Sequence, residues 1–188
     1  MNSIFKFSLL DKTASALGSR VVVSTEDLRI ALVKLAIALL PDSLHLIRAV
    51  IIDERNKYDP ELRFTLFCFL SEVPDLSIGE EIEGEICSAV SSFLSEVRSK
   101  AAQAPWMAGD LLGAHWRAEP GVFALCDVTK RARFVAGREA GIHGLSHALE
   151  RSPDFQDSIR RVLNEIAHGD RSGRVRRYAQ AVLEGKHC

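Results

Sequence analysis

DFQDSIRRVLNEIAHGDRSGRVRRYAQAVL, residues 154–183, decides how this chain reads. Two helix-forming runs meet at the short polar break around Gly169, Asp170 and Ser172. Wound at 100° per residue from Arg171, the second run places Val175, Tyr178, Ala179, Val182 and Leu183 on one arc. Arg174, Arg177, Gln180 and Glu184 fall on the opposite arc. A helix pair of this kind offers one apolar face and cannot bury it alone. It has to stack on neighbours, and an end unit then needs a polar outer side.

The same pattern recurs upstream. IRRV at 159–162 answers IRAV at 47–50, and about a dozen residues after each comes an Asp followed by R-x-x-Φ-x-x-x-Φ. The downstream copy is Asp170 with Arg176, Ala179 and Leu183, and the upstream copy is Asp59 with Arg63, Leu66 and Leu70. Arg138, Gly141 and Leu145 form a copy between them, with Arg138 lying 38 residues before Arg176 and 75 after Arg63. Arg29, Leu32 and Ala36 give an earlier copy. A period near 38 residues follows, and periods of this size mark repeat architectures. The remaining helix signals share one grammar of helix, short break, helix. They fall at Thr25–Leu40, Asp42 to about Arg55, Pro60 to near Pro74, Ile78–Lys100, Trp106–His115, Thr129–Leu149, Asp154–Ala167 and Arg171–Glu184. Residues 116–128, with Pro120-Gly121, are left unassigned. No alternating strand and no Asn-Gly or Asp-Gly hairpin turn is present.

This pattern resembles the HEAT repeat, a two-helix unit whose second helix begins after an Asp and carries an Arg followed by small and apolar residues. The resemblance implies an all-α fold, a short α-solenoid of about four to five HEAT-like helix pairs with an irregular middle. It divides the single domain into a cap at 1–24, repeats at 25–74, an irregular stretch at 75–128 and C-terminal repeats at 129–188. It also assigns Arg176 a packing role. Helix 25–40 is interrupted only by Arg29, Lys34 and its cap residues. It is expected to be buried on most sides, with residues 4–17 folded over it.

Composition sets the outer bounds. The chain has 188 residues, 47% hydrophobic and 26% charged, with a formal net charge of −1. Those figures exclude intrinsic disorder and a strongly basic nucleic-acid binder. The near-neutral total hides a dipole. Residues 1–94 hold nine Lys and Arg against fourteen Asp and Glu, net −5, whereas 128–188 hold twelve against seven, net +5. No apolar run approaches a membrane span, and Lys6, Ser8 and Asp11 interrupt the N-terminal apolar stretch. Cys68, Cys87, Cys126 and Cys188 show no C-x-x-C spacing, so they read as thiols in a reducing cytoplasm and imply no metal.

Four groups of residues are candidates for function. Glu72, Asp75, Glu80, Glu81, Glu83 and Glu85 lie within fourteen residues that hold no Lys or Arg. They form either a well-capped helix start or an acidic patch that steers a basic partner. Arg171, Arg174, Arg176 and Arg177 are the densest basic group, with Arg174 and Arg177 expected at the surface as a polar end cap or a binding edge. Glu139, His143 and His147, at i, i+4 and i+8, line one stripe of a helix. The stripe lacks the H-E-x-x-H motif, and no metal is assigned to it. Trp106 and Asp110 share a helical face near His115 and Trp116. That W-x-x-x-D spacing resembles part of the site in HEAT-like DNA glycosylases. The resemblance implies that Trp106 stacks on a nucleotide and Asp110 stabilises a cationic sugar. That family is basic overall and uses a further downstream tryptophan, and no tryptophan follows Trp116 here.

The sequence thus predicts a non-enzymatic, cofactor-free, cytoplasmic scaffold or adaptor. It would meet a protein partner through Glu80, Glu81, Glu83, Glu85, Trp106, Arg174 and Arg177. The alternative is a nucleic-acid-binding protein, glycosylase-like, that uses the basic C-terminal third with Trp106 and Asp110.

Overall fold

The structure is a computed structural model that describes residues 25–52, 60–73, 79–98, 103–115 and 118–186. Among the described residues there are nine α-helices and no strand. They are α1 (Thr25–Ala38), α2 (Leu44–Ile52), α3 (Pro60–Ser71), α4 (Glu80–Glu96), α5 (Ala104–Asp110), α6 (Ala118–Arg131), α7 (Val135–Arg151), α8 (Gln156–Gly169) and α9 (Gly173–Leu183). A π-helical turn, Leu111–His115, continues α5, and a 3₁₀ turn, Pro153–Phe155, precedes α8. The expected cap at 4–17 lies outside the described residues.

Several helix starts follow from proline. Pro60 opens α3 and Pro105 sits in the first turn of α5, where the missing N–H has no intrahelical partner to lose. The same rule explains α6. Pro120-Gly121 reads as a break, yet Pro120 is the third residue of α6 and is tolerated there. Residues 118–131 are therefore helical, and Thr129 to Arg131 end α6 instead of opening α7. The helix is broken after Ala132, whose N–H still donates to the Val128 carbonyl, because the next N–H finds a partner elsewhere. The Arg133 N–H donates to the Ser95 carbonyl at 3.0 Å, and Phe134 is extended at φ −108°, ψ 154°. At its own end α4 stops at Glu96, short of the expected Lys100.

Helices pack on their next-but-one neighbours. α1 lies on α3, α3 on α5, α5 on α7 and α7 on α9; α2 lies on α4, α4 on α6 and α6 on α8. Successive helices also pair, most extensively α6 with α7 and α8 with α9. α7 touches α4, α5, α6, α8 and α9, and twelve of its seventeen residues are buried, which makes it the centre of the core. Its glycines permit this. A Cβ on Gly144 would stand 2.6 Å from the Gly109 carbonyl oxygen, and one on Gly109 would stand 2.5 Å from that of Ala140. The backbones of α5 and α7 are in contact, with no room for side chains between them.

α1 departs from expectation. Val33 is its buried apolar residue, whereas Leu32 is 48% exposed and Ala31 and Ala38 also face outward. Within the described residues α1 packs mainly against α2 and α3, so one flank has no described neighbour to cover it.

Two of the four arginines in the 38-residue pattern make equivalent bonds. Arg138 donates from Nη1 to the Ala132 carbonyl at 2.9 Å, and Arg176 donates from Nη1 to the Asp170 carbonyl at 2.6 Å. These are the same bond displaced by 38 residues. Arg63 Nε donates to the Val50 carbonyl at 3.1 Å, and its guanidinium lies 4.7 Å over the Phe93 ring. Arg138 also meets Asp170 in a buried ion pair, Nε to Oδ2 at 2.7 Å and Nη2 to Oδ1 at 3.2 Å, with side chains 3% and 5% exposed.

Replacing Arg138 by Ala strands the Asp170 carboxylate in the interior, and urea unfolding should show a loss of about 3–5 kcal/mol. Leu145→Ala, at a fully buried site on α7, should lose about 2–5 kcal/mol. Leu183→Ala should lose clearly less, because Leu183 is half-buried beside the buried Val182.

Candidate functional site

The polar cluster with the most chemistry forms where α5, α7 and α9 meet. Asp110 is the last residue of α5, at the point where the helix widens into the π turn. Such irregular turns recur at functional sites. His143 and His147 stand one turn apart on the face of α7 toward α5, as i, i+4 spacing requires. Asp110 Oδ1 lies 2.9 Å from His143 Nε2 and 3.1 Å from His147 Nε2. The two imidazoles meet edge to face, with centroids 4.8 Å apart.

Aromatic side chains close one flank. Trp106, one turn before Asp110 on α5, sets its ring edge-to-face against His143 at 4.7 Å and against Tyr178 of α9 at 6.2 Å. The Tyr178 hydroxyl is 3.3 Å from His143 Nδ1. That contact fixes the orientation of the His143 ring, with Nε2 on the side of Asp110. The cluster is sheltered at Asp110 and His143 and opens toward His147, whose side chain is 34% exposed.

The stripe Glu139, His143, His147 therefore splits. The histidines go to Asp110, while Glu139 is buried and accepts an ion pair from Arg174 Nε at 2.5 Å. Arg174 is thus anchored on α7 although its side chain is largely exposed. Arg177 is exposed on α9. Of the acidic residues, Glu80 and Glu81 are exposed at the start of α4, and Glu85 pairs with Arg48 at 2.7 Å. Glu83 is only 1% exposed. It lies three and four residues before Ile86 and Cys87 on the buried face of α4, so it does not belong to the exposed acidic surface. The glutamates sit on α4, in the other row of helices from Trp106, Arg174 and Arg177. Trp116 lies outside the described residues.

Two further features narrow the chemistry. A cleft of about 520 Å³ is lined by Lys130, Arg131, Arg138, Glu165, Asp170 and Arg171 among others. Its cations are engaged: Lys130 with Glu165 at 2.6 Å, Arg131 with Asp127 at 3.1 Å, Arg138 with Asp170, and Arg171 with the Arg133 carbonyl. The hydrogen bond from Lys130 holds the Glu165 carboxyl below its ordinary range. Burial makes the three described thiols poor nucleophiles. Burial, reinforced by Glu83, pushes Cys87 up to about 12, and burial also raises Cys68 and Cys126.

No protein-family model, curated protein or solved structure matches the chain.

At pH 8 the native protein should leave Cys87 unmodified by iodoacetamide, and unfolded protein should be labelled there. Peptide mass spectrometry of the two samples reads this directly, and rapid native labelling would contradict the packing of α4.

Proposed function

We propose that the chain is a short α-solenoid of HEAT-like helix pairs acting as a non-enzymatic protein-binding scaffold or adaptor. Two observations support the solenoid. Helices pack on their next-but-one neighbours in two rows, as stacked helix pairs do. The arginine-to-carbonyl bond also recurs with a 38-residue shift. The pairs are then α2–α3, α4–α5, α6–α7 and α8–α9, with α1 as the second helix of an earlier unit. The short α5 and its π turn give the irregular middle.

The observation that carries the function is the gathering of Trp106, Tyr178, His143, His147, Arg174 and Arg177 on α5, α7 and α9, helices of one row. Aromatic and arginine side chains are the residue types that anchor protein interfaces. No helix among the described residues is long and apolar enough to cross a membrane. Cys68, Cys87 and Cys126 are free thiols, which favours a reducing cytoplasm for this scaffold.

The alternative is a nucleic-acid-binding protein of glycosylase type. It is favoured by Trp106 and Asp110 sharing a face of α5. Against it, the Asp110 carboxylate already lies within 3.1 Å of two imidazoles, and the cations of the basic cleft are engaged.

The test is capture by the tagged full chain from its native host's lysate, with and without nuclease, using wild type, Arg177→Glu and Trp106→Ala. One stoichiometric protein that survives nuclease and falls at least about tenfold with either substitution, a loss of roughly 1.4 kcal/mol, is the expected result. Recovery that depends on nucleic acid, or a partner indifferent to both substitutions, overturns the proposal.

A further inference from the structure

We infer that Asp110, His143 and His147 form a three-ligand site for a divalent transition-metal ion of the zinc class. The donor set is the first reason. Two imidazole nitrogens and one carboxylate oxygen suit borderline ions such as Zn²⁺, whereas Ca²⁺ and Mg²⁺ ask for oxygen ligands throughout.

Geometry is the second. One ligand atom from each residue can be chosen so that all three lie within 4.8 Å of one another. A tetrahedral ion with bonds of about 2.0–2.1 Å holds its ligand atoms roughly 3.3 Å apart. The two oxygen-to-nitrogen separations, 2.9 and 3.1 Å, are a few tenths of an ångström from that value. The remaining adjustment is a rotation of the imidazoles toward each other, and His147 is exposed enough to make it.

The third reason is what the oxygen lacks. Asp110 Oδ1 is shielded from solvent and close to two ring nitrogens, yet it meets hydrogen-bond geometry with neither. A carboxylate holding two imidazoles by hydrogen bonds would have their N–H groups aimed at it. Ligands of one ion direct their lone pairs at a shared point beside them instead.

The surroundings fit a supported site. Tyr178 holds Nδ1 of His143 and so orients its ring, as outer partners of metal-bound histidines do. With an ion on Nε2, the His143 proton moves to Nδ1 and is donated to the Tyr178 oxygen. Trp106 packs on the same ring and excludes water from that side. The contact between Gly109 and α7 fixes the spacing of the two helices that supply the ligands. The open side at His147 leaves a coordination position for water or for a side chain of a partner.

Calorimetric titration of EDTA-stripped, dialysed full-length protein with ZnSO₄ tests the inference, with Asp110→Asn, His147→Ala and Tyr178→Phe in parallel. Circular dichroism confirms that each variant is folded. Wild type should bind one Zn²⁺ per chain, raise its thermal midpoint with the ion and give visible d–d bands with CoCl₂. Asp110→Asn and His147→Ala should each weaken binding at least about 100-fold, and Tyr178→Phe about tenfold. Wild type that binds no Zn²⁺ would leave the cluster as an ion-pair network and overturn the site. Unchanged affinity in folded Asp110→Asn and His147→Ala would place the ion elsewhere and overturn it equally.

Discussion

A guanidinium at the position of Arg138 cannot stay buried without partners, and the way it is satisfied organises half of the molecule. Its donors reach Asp170 and the Ala132 carbonyl, so one side chain ties the start of α7 to the loop that opens α9 and to the break after α6. Asp170 in turn accepts the Ser172 N–H at 2.7 Å and presents its own carbonyl to Arg176. A buried ion pair is weak evidence for net stability, since apolar replacements of similar volume often do as well. Its effect here is on register. An apolar contact between α7 and α9 would tolerate sliding, whereas a buried ion pair with one charged hydrogen bond within it does not. The register fixed in this way brings the Tyr178 hydroxyl to His143 and Arg174 to Glu139.

The second constraint is the contact between α5 and α7. Glycine inside a helix costs about 1 kcal/mol against alanine in intrinsic propensity. α7 carries Gly137, Gly141 and Gly144 and is nonetheless the most enclosed helix. Packing on five neighbours offsets the loss. The same absence of side chains that weakens α7 alone lets α5 approach closely enough for Asp110 to touch both histidines. Site and packing therefore rest on the same residues.

Much of this was legible in the sequence, for identifiable reasons. Proline starts and the apolar arc of α9 are local signals, and each appears in the structure as a helix start or a buried face. The misreadings were places where tertiary context decides. Pro120-Gly121 reads as a break until its place in a first helical turn is known. The end of α6 is set by a backbone bond to Ser95, far away in sequence. Glu83 looks like its neighbours Glu80, Glu81 and Glu85, and only the rotation of α4 about its axis turns it inward. The W-x-x-x-D and H-x-x-x-H spacings were both visible, but their union was not, because no sequence pattern says which faces of α5 and α7 meet. Tyr178 was hidden for a related reason: on its own helix it belongs to the apolar arc.

The charge pattern also changes meaning once the pairs are known. A C-terminal third of net +5 suggests a surface for phosphates, and phosphate binding depends on cations free to displace the counterions of the polyanion. Here Arg138 is spent on a buried carboxylate, Arg174 on Glu139, Lys130 on Glu165 and Arg131 on Asp127. Three of these four pairs also use a carboxylate from the same third, so the excess charge is distributed among exposed residues such as Arg160, Arg161 and Arg177 and is not focused in the cleft. A polyanion would gain little there without first breaking existing pairs. A partner that uses a few directed contacts gains from the same arrangement, since Arg174 is already held in place by Glu139 and loses less freedom on binding. The fold thus leaves the excess positive charge dispersed over the surface, which supports the proposed protein-binding reading over the nucleic-acid one.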